Sequence, residues 1–351
     1  MDAERKIKIL WTSEHCCIRV IKQVVALRAT GRYWIHGLAK QVSYGSDEFD
    51  VFSFYHHRRQ FEETVRSTDY DIYIHSNEPN HQLNRIRREK PDKPIILDAH
   101  DLDSIRQGVI PLDEMRAMTN CNGVVFVSPQ VRDVIVNDIH RDQLKGKEYI
   151  VLEHYCNEKW LALKQPANTN RSGLVYHGGM QSPPYKTPHF RYRHLYPVMK
   201  RLVELGHELH LMPGNPDAYR TYANIGAFVY EPQMYQDLMP QLCTKKWGMV
   251  IFNNPSKDQM QVNLTLTNKH YEYIMCGMPF IVYGAPATAE WVKQYGCGLN
   301  FERLDDITPQ ILDENCDRLK AEVDAIRPKM TMEKHIHRLE KLINKLLNTD
   351  D

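Results

Sequence analysis

Net charge is nearly absent from this chain: 45 Lys and Arg face 44 Asp and Glu, leaving +1 over 351 residues. No global field therefore draws it to nucleic acid or to an anionic membrane. Paired cysteines are missing too. The eight cysteines, at positions 16, 17, 121, 156, 243, 276, 297 and 316, form no C-x-x-C pair, which argues against a structural zinc site. Several lie in apolar runs, where a free Cys behaves as a small hydrophobe, and this usage suits a reducing compartment. No apolar stretch approaches a membrane span, and the opening M-D-A-E-R-K-I-K-I-L-W has no signal-peptide core. The expected place is the cytoplasm, in solution or peripherally at the inner face of a membrane. The fingerprint G-x-G-x-x-G and the Walker A motif are absent, which argues against their NAD and P-loop readings. There is no G-x-S-x-G elbow. H-H at 56–57 and H-I-H at 335–337 lack a carboxylate at metal-ligand spacing and read as surface residues. No repeat or low-complexity tract interrupts the chain.

What is present is an alternation of strands and helices. Hydrophobic residues make up 42% of the chain and charged residues 25%, enough to build two cores of ordinary size. Apolar runs read as strands at 7–11, 51–55, 70–75, 94–97, 123–127 and 149–152. A helix is expected over 17–27, with Ile18, Ile21, Val24, Val25 and Leu27 on its apolar face. Ser128 is placed to cap another. The segment 164–172, K-Q-P-A-N-T-N-R-S, is polar and turn-rich and reads as a linker. After it the alternation restarts, with strands at 173–176, 208–212, 227–230, 247–252 and 280–283, helices at 195–205, 234–242 and 287–295, and C-G-L-N-F leading into a last strand. The expected fold class is α/β: two Rossmann-like parallel-sheet domains facing a cleft at the carboxyl ends of their strands, residues 1–168 and 169–328. The tail over 331–347 is amphipathic, with Ile336, Leu339, Leu342, Ile343, Leu346 and Leu347 on one face.

The most specific stretch is 267–283, T-N-K-H-Y-E-Y-I-M-C-G-M-P-F-I-V-Y. Thr267 or Asn268 is placed to cap a short helix, Gly277 ends it, and Pro279 prevents its continuation. Phe280, Ile281 and Val282 then suit a strand buried on both faces. Lys269 sits in the first turn, where backbone N–H groups and the helix dipole favour an anion. Glu272 lies one turn later. Such a helix mouth suits a nucleotide diphosphate, with phosphates on the N–H groups and the lysine and a ribose diol on the glutamate. An ordinary surface helix would carry the same two residues. Gly178 and Gly179 follow a strand and permit close backbone approach. Lys186, Arg191 and Arg193 come next; one of them would neutralise a pyrophosphate, with nothing to choose among them. A solvated basic loop is the plainer alternative. Asp98, His100 and Asp101 end a strand, where polar residues line a cleft. His100 would hydrogen-bond a substrate hydroxyl or a leaving phosphate, unless Asp101 or Asp103 is simply a cap beside an incidental histidine. Glu14, His15, Cys16, Cys17 and Arg19 follow the first strand. A Cys–His nucleophile there would need a third orienting group, and thiol catalysis is not the reading adopted.

These residues carry a resemblance. N-K-H-Y-E-Y-I-M-C-G-M-P-F-I-V is similar to a K-x-x-E-Y-x-x-x-G-x-P-x-I motif, L-D-A-H-D to an aspartate–histidine loop, G-V-V-F-V-S to a strand-to-serine signature, and V-Y-H-G-G-M to the opening of a second domain. In order and spacing the chain resembles the GT-B-fold glycosyltransferases, specifically the large retaining family of bacterial cell-surface and lipopolysaccharide enzymes. The resemblance implies transfer of a sugar from a nucleotide-diphosphate donor, a UDP- or GDP-sugar, to a carbohydrate, lipid-linked or other hydroxyl acceptor. It implies His100 and Lys269 as catalytic residues, His100 contacting the donor sugar. Glu272 would hold the ribose. Lys269 and the amides around Thr267 and Asn268 would hold the diphosphate, with Gly178 and Gly179 opposite. The family's C-terminal helix, here 329–351, would pack back on the N-terminal domain. Leu264 stands where the family often has an acid, which departs from the pattern for donor-sugar hydroxyls.

Breaking a sugar–phosphate bond leaves growing negative charge on the diphosphate, and the helix mouth with its cations would stabilise it without a metal. D-L-D at 101–103, a literal D-x-D, reads as a helix start. Two alternatives remain. One is transfer to modified phage DNA, with R-I-R-R-E-K at 85–90 and the R-Y-R loop as its contacts, which the neutral charge disfavours. The other is a degenerate nucleotide-sugar-binding protein, which Leu264 favours.

Overall fold

The computed structural model describes residues 5–42, 44–76, 79–182 and 188–348. The chain divides into two units, Met1–Asn157 with Met332–Asp351, and Glu158–Thr331. No helix among the described residues is long and apolar enough to cross a membrane.

The first unit holds seven parallel strands: β1 (Ile7–Cys16), β2 (Tyr33–Val42), β3 (Val51–Phe54), β4 (Ile72–Ser76), β5 (Ile95–Ala99), β6 (Gly123–Phe126) and β7 (Glu148–Val151). Their order is β3-β2-β1-β4-β5-β6-β7, so the winding reverses between β1 and β4. Ile9, Leu10, Ile74, Ile96 and Val125 are wholly buried, as strands covered on both faces require. Strand β2 was not expected from Y-W-I-H-G-L-A-K-Q-V, because His36 and Gly37 interrupt its apolar run. Tertiary partners accommodate both. The His36 ring contacts the Tyr70 hydroxyl and Ser53 Oγ, the latter at 2.9 Å. A Cβ on Gly37 would lie 2.6 Å from the Phe52 ring. Ser128 caps the helix Pro129–Val134 through its hydroxyl, which accepts from Val131 N.

The tail helix His337–Leu347 packs within this unit and buries Leu339, Leu342 and Ile343. Arg338 donates to the Val151 carbonyl at 3.2 Å and Lys345 pairs with Glu148 at 2.7 Å. Leu342 and Leu346 come so close to Gly123 that a Cβ there would meet both at 3.1 Å.

The second unit repeats the winding with six parallel strands: β8 (Ser172–Gly178), β9 (Leu209–Pro213), β10 (Phe228–Val229), β11 (Lys245–Ile251), β12 (Phe280–Tyr283) and β13 (Gly298–Phe301). The order is β10-β9-β8-β11-β12-β13, reversing between β8 and β11. A long helix, Pro309–Ile326, closes the unit and had no counterpart in the sequence reading. The turn-rich segment 164–172 belongs to this unit. Its Arg171 is buried and donates to the carbonyls of Gly277 at 3.0 Å and Pro166 at 3.2 Å, while Asn168 bonds Asp317 at 2.8 Å. The units accordingly change at 157/158 and 331/332, against 168/169 and 328/329 from the sequence.

Candidate functional site

In an open parallel sheet, ligands settle at the carboxyl ends of strands where the winding reverses. In the second unit that point lies between β8 and β11, and the helix Asn268–Met275 is anchored over it. The anchor is Tyr273. Its hydroxyl reaches the carbonyls of Val175 on β8 at 3.3 Å and Met249 on β11 at 3.1 Å. The ring fits because position 248 is glycine; a Cβ there would lie 2.3 Å from it. Gly277 ends the helix with φ +60°, its N–H bonding Ile274 O while Met278 N–H bonds Tyr273 O. This is a Schellman closure, and only glycine enters it without strain. At the other end Thr267 is the N-cap in an extended conformation, but its hydroxyl does not cap. Thr267 Oγ1 is buried with no hydrogen-bond partner among the described residues.

Two cations converge beside this helix mouth. Gly178, the last residue of β8, has φ +104°, and a Cβ on it would sit 3.4 Å from Lys269 Cε. A Cβ on Gly179 would sit 2.9 Å from Arg193 Nη1. The two glycines thus hold backbone open against two cationic side chains. Lys269 is partly buried, with Nζ 5.0 Å from the Tyr176 ring centroid and 5.3 Å from that of Phe252. Arg193 lies over the rings of Phe190 and Tyr192. Neither has an ion-pair partner among the described residues. Loss of water, then the Arg193 charge, lower Lys269 to about 8, with Glu272 opposing. Glu272 is 2% exposed, and its Oε2 lies 3.1 Å from His177 Nε2.

The other expected cations fall elsewhere. Arg191 is exposed and paired with Asp258. Lys186 lies outside the described residues. Asn268 opens the helix beside Thr267, and Leu264 ends the short helix Met260–Leu264 ahead of it. Sequence reasoning passed over His177 and Tyr273. The signal for His177 was its place directly before the glycine pair at a strand end.

His100 belongs to the first unit, again at a winding reversal, here beside β1, β4 and β5. Its side chain is 8% exposed, with Nε2 3.7 Å from Cys17 Sγ and Nδ1 4.0 Å from Asp98 Oδ2. Asp98 is wholly buried. It accepts from Arg19 at 2.8 and 3.0 Å, from Gln23 at 3.0 Å and from Ser76 at 3.1 Å. Burial would raise this carboxyl, but the Arg19 and His100 charges and the hydrogen bonds from Arg19 and Gln23 hold it below the usual range. Burial likewise opposes the charged His100, yet Cys17, Asp101 and Asp98 carry it up to about 9. Asp103 starts the helix Asp103–Gln107 and pairs with Arg106, as a helix-start reading of D-L-D requires. In the basic run at 85–90, Arg88 pairs with Glu62 and Glu89, and Arg87 donates to the Asn120 carbonyl.

Residues 200–341 match the family model described as glucosyltransferase 3-like, C-terminal domain. No curated protein matches the chain. Among solved structures, HepE from Anabaena in complex with UDP-glucose is similar at TM-score 0.72 and 12% identity, covering 97% of this chain and 100% of that one. Sucrose-phosphate synthase from Thermosynechococcus elongatus is similar at TM-score 0.69 and 13% identity, covering 98% and 100%. A glycosyltransferase from Rickettsia africae follows at 0.65 and 11%, covering 99% and 100%. With two parallel α/β units and these structural likenesses, the chain has the GT-B fold, and its residues 200–341 match a glucosyltransferase-type C-terminal domain.

Proposed function

We propose that the protein transfers a hexose from UDP-hexose to an acceptor hydroxyl, with retention at the anomeric carbon and without a divalent metal. One observation carries this reading. Lys269 and Arg193 converge on the Gly178–Gly179 backbone beside the amino end of the helix Asn268–Met275, with a buried hydroxyl at Thr267 that has no partner among the described residues. Two like charges brought together in low dielectric repel each other until an anion arrives. A diphosphate is the right anion. Its oxygens accept from the helix N–H groups, from Thr267 and from the two cations.

Glu272 accepts the ribose hydroxyls, oriented by His177. His100 keeps the role that the resemblance assigns it, a contact to the transferred sugar. As the sugar–phosphate bond breaks, charge grows on the departing diphosphate. Lys269, Arg193 and the helix dipole are fixed where it grows, so little reorganisation is needed. UDP is favoured over GDP because the similar HepE was solved with UDP and with UDP-glucose. The acceptor is a carbohydrate or other hydroxyl compound, and the reaction is placed in the cytoplasm.

A thermal-shift panel of UDP-, GDP-, ADP- and CMP-sugars tests the donor, because a ligand that binds only the folded state stabilises it. UDP-sugars should stabilise selectively and should release UDP when an acceptor is present. Equal, negligible shifts across the panel and no UDP release would reject the reading.

A further inference from the structure

We propose that Cys17 is a reactive thiolate site, with His100 as its proton partner, that takes soft electrophiles and is oxidised by peroxide to the sulfenic acid. Of the eight cysteines it alone is not buried. It is the N-cap of the helix Ile18–Ala29, a twelve-residue helix whose first bonds run from Val20 N and Ile21 N to the Cys17 carbonyl. A helix amino end stabilises a thiolate. The second observation is His100, which is more than nine-tenths buried. Its Nε2 faces Cys17 Sγ at 3.7 Å, while Nδ1 has no hydrogen-bond partner among the described residues and faces Asp98 at 4.0 Å. Asp98 is itself fixed by Arg19, Gln23 and Ser76. Thiol, imidazole and carboxylate thus follow one another as in an activated thiol, with Asp98 acting on the imidazole through its charge and not through a hydrogen bond.

The charged and titratable groups around the pair are Cys16, Arg19, Lys22, Asp98, Asp101 and His154. Arg19 is committed to Asp98, and Lys22 reaches the His154 carbonyl at 3.5 Å. The His154 ring meets His100 edge-on at 6.3 Å. Asp101 Oδ2 lies 4.0 Å from His100 Nε2. Burial pushes the Cys17 thiol up. The charge and hydrogen bond of His100 and the amides of Val20 and Arg19 outweigh it and leave the thiol below its ordinary value. Burial raises Cys16, Cys121, Cys297 and Cys316. Cys243 is also lowered, but it is 1% exposed and shielded from reagents. Selectivity for Cys17 therefore has two sources, ionisation and access.

In the oxidation the thiolate sulfur attacks one oxygen of hydrogen peroxide. The S–O bond forms as the O–O bond breaks, and the departing hydroxide takes the imidazolium proton as water. Sulfur loses two electrons and the peroxide gains them. No nucleotide or sugar takes part, so the proposal stands or falls separately from the transferase reading.

The test is alkylation of the full chain by limiting iodoacetamide, mapped by peptide mass spectrometry from pH 6.5 to 8.5. The expected result is first labelling at Cys17, with a rate that climbs less steeply with pH than that of an ordinary thiol. At pH 6.5 it should exceed an ordinary thiol by about tenfold or more, since such a thiol is only about 1% ionised there. His100→Asn should remove the advantage and restore the steeper climb with pH. After peroxide, dimedone should tag Cys17. A wild-type rate that rises about tenfold per pH unit from 6.5 to 7.5, as for a thiol of ordinary acidity, overturns the proposal whether or not the variant folds. Failure of dimedone to tag Cys17 overturns its oxidation.

Discussion

Replacing Lys269 by Met separates a binding lysine from a structural one, because the two roles predict effects of opposite sign. Met keeps the stem that packs near Tyr176 and Phe252 and removes the charge. Lys269 titrates at about 8 instead of 10.5, so holding its charge at neutral pH costs the unliganded protein up to about 3 kcal/mol. Partial exposure and the two aromatic faces reduce that to roughly 1–2 kcal/mol. Lys269→Met should therefore leave the ligand-free protein as stable as before, or raise its melting temperature by a few degrees. UDP binding should move the other way. Losing a hydrogen bond to a charged group costs about 1.5–3 kcal/mol, or roughly a ten- to hundredfold rise in Kd. Calorimetry supplies both numbers, and pH supplies a third. The ammonium is present below about 8 and lost above it, so wild-type affinity should fall as pH rises through about 8. Binding at pH 8.5 should take up protons, and the Met variant should do neither. The same lowered value means the unfolded chain holds more protons between about 8 and 10.5, so this group's contribution to stability rises with pH in that window. A Met variant that melts earlier yet binds UDP as tightly as wild type would refute the assignment.

Other outcomes follow from the same geometry. Glu272→Gln should weaken UDP binding by about 1–3 kcal/mol with the fold intact, measured by calorimetry and circular dichroism. Arg193→Ala should weaken UDP binding at least about tenfold, while Arg191→Ala, whose guanidinium is exposed and paired with Asp258, should change it less than about twofold. If the cations and the helix end act as proposed, UDP release in the presence of acceptor should survive excess EDTA; full loss of turnover restored by manganese would oppose this. Deleting residues 332–351 should uncover the apolar surface of β6 and β7 that Leu339, Leu342 and Ile343 cover, lowering solubility and melting temperature.

The alternation of strands and helices was legible because parallel strands buried on both faces leave unbroken apolar runs, as in G-V-V-F-V and F-I-V. The helix mouth was legible for a similar local reason: Gly277 and Pro279 mark its end, and Lys269 and Glu272 keep fixed places relative to it. What the sequence did not disclose depends on contacts between distant residues. Strand β2 tolerates His36 and Gly37 only because Tyr70, Ser53 and Phe52 meet them. The choice of Arg193 over Arg191 depends on Gly179 facing one side chain while Asp258 captures the other. His177 acquires meaning only through Glu272, ninety-five positions later, and Asp98 only through Arg19 on the helix after β1. The turn-rich segment 164–172 looked like a free connection because nothing local reveals that Arg171 is buried against Gly277.

A crystal structure of the protein with UDP tests the central claim most directly. The account predicts diphosphate oxygens within hydrogen-bonding distance of Lys269 Nζ and of the amides at the start of the helix Asn268–Met275, beside Gly178, with the ribose hydroxyls on Glu272. UDP bound with its phosphates away from that helix, and Lys269 still enclosed by Tyr176 and Phe252, would contradict it.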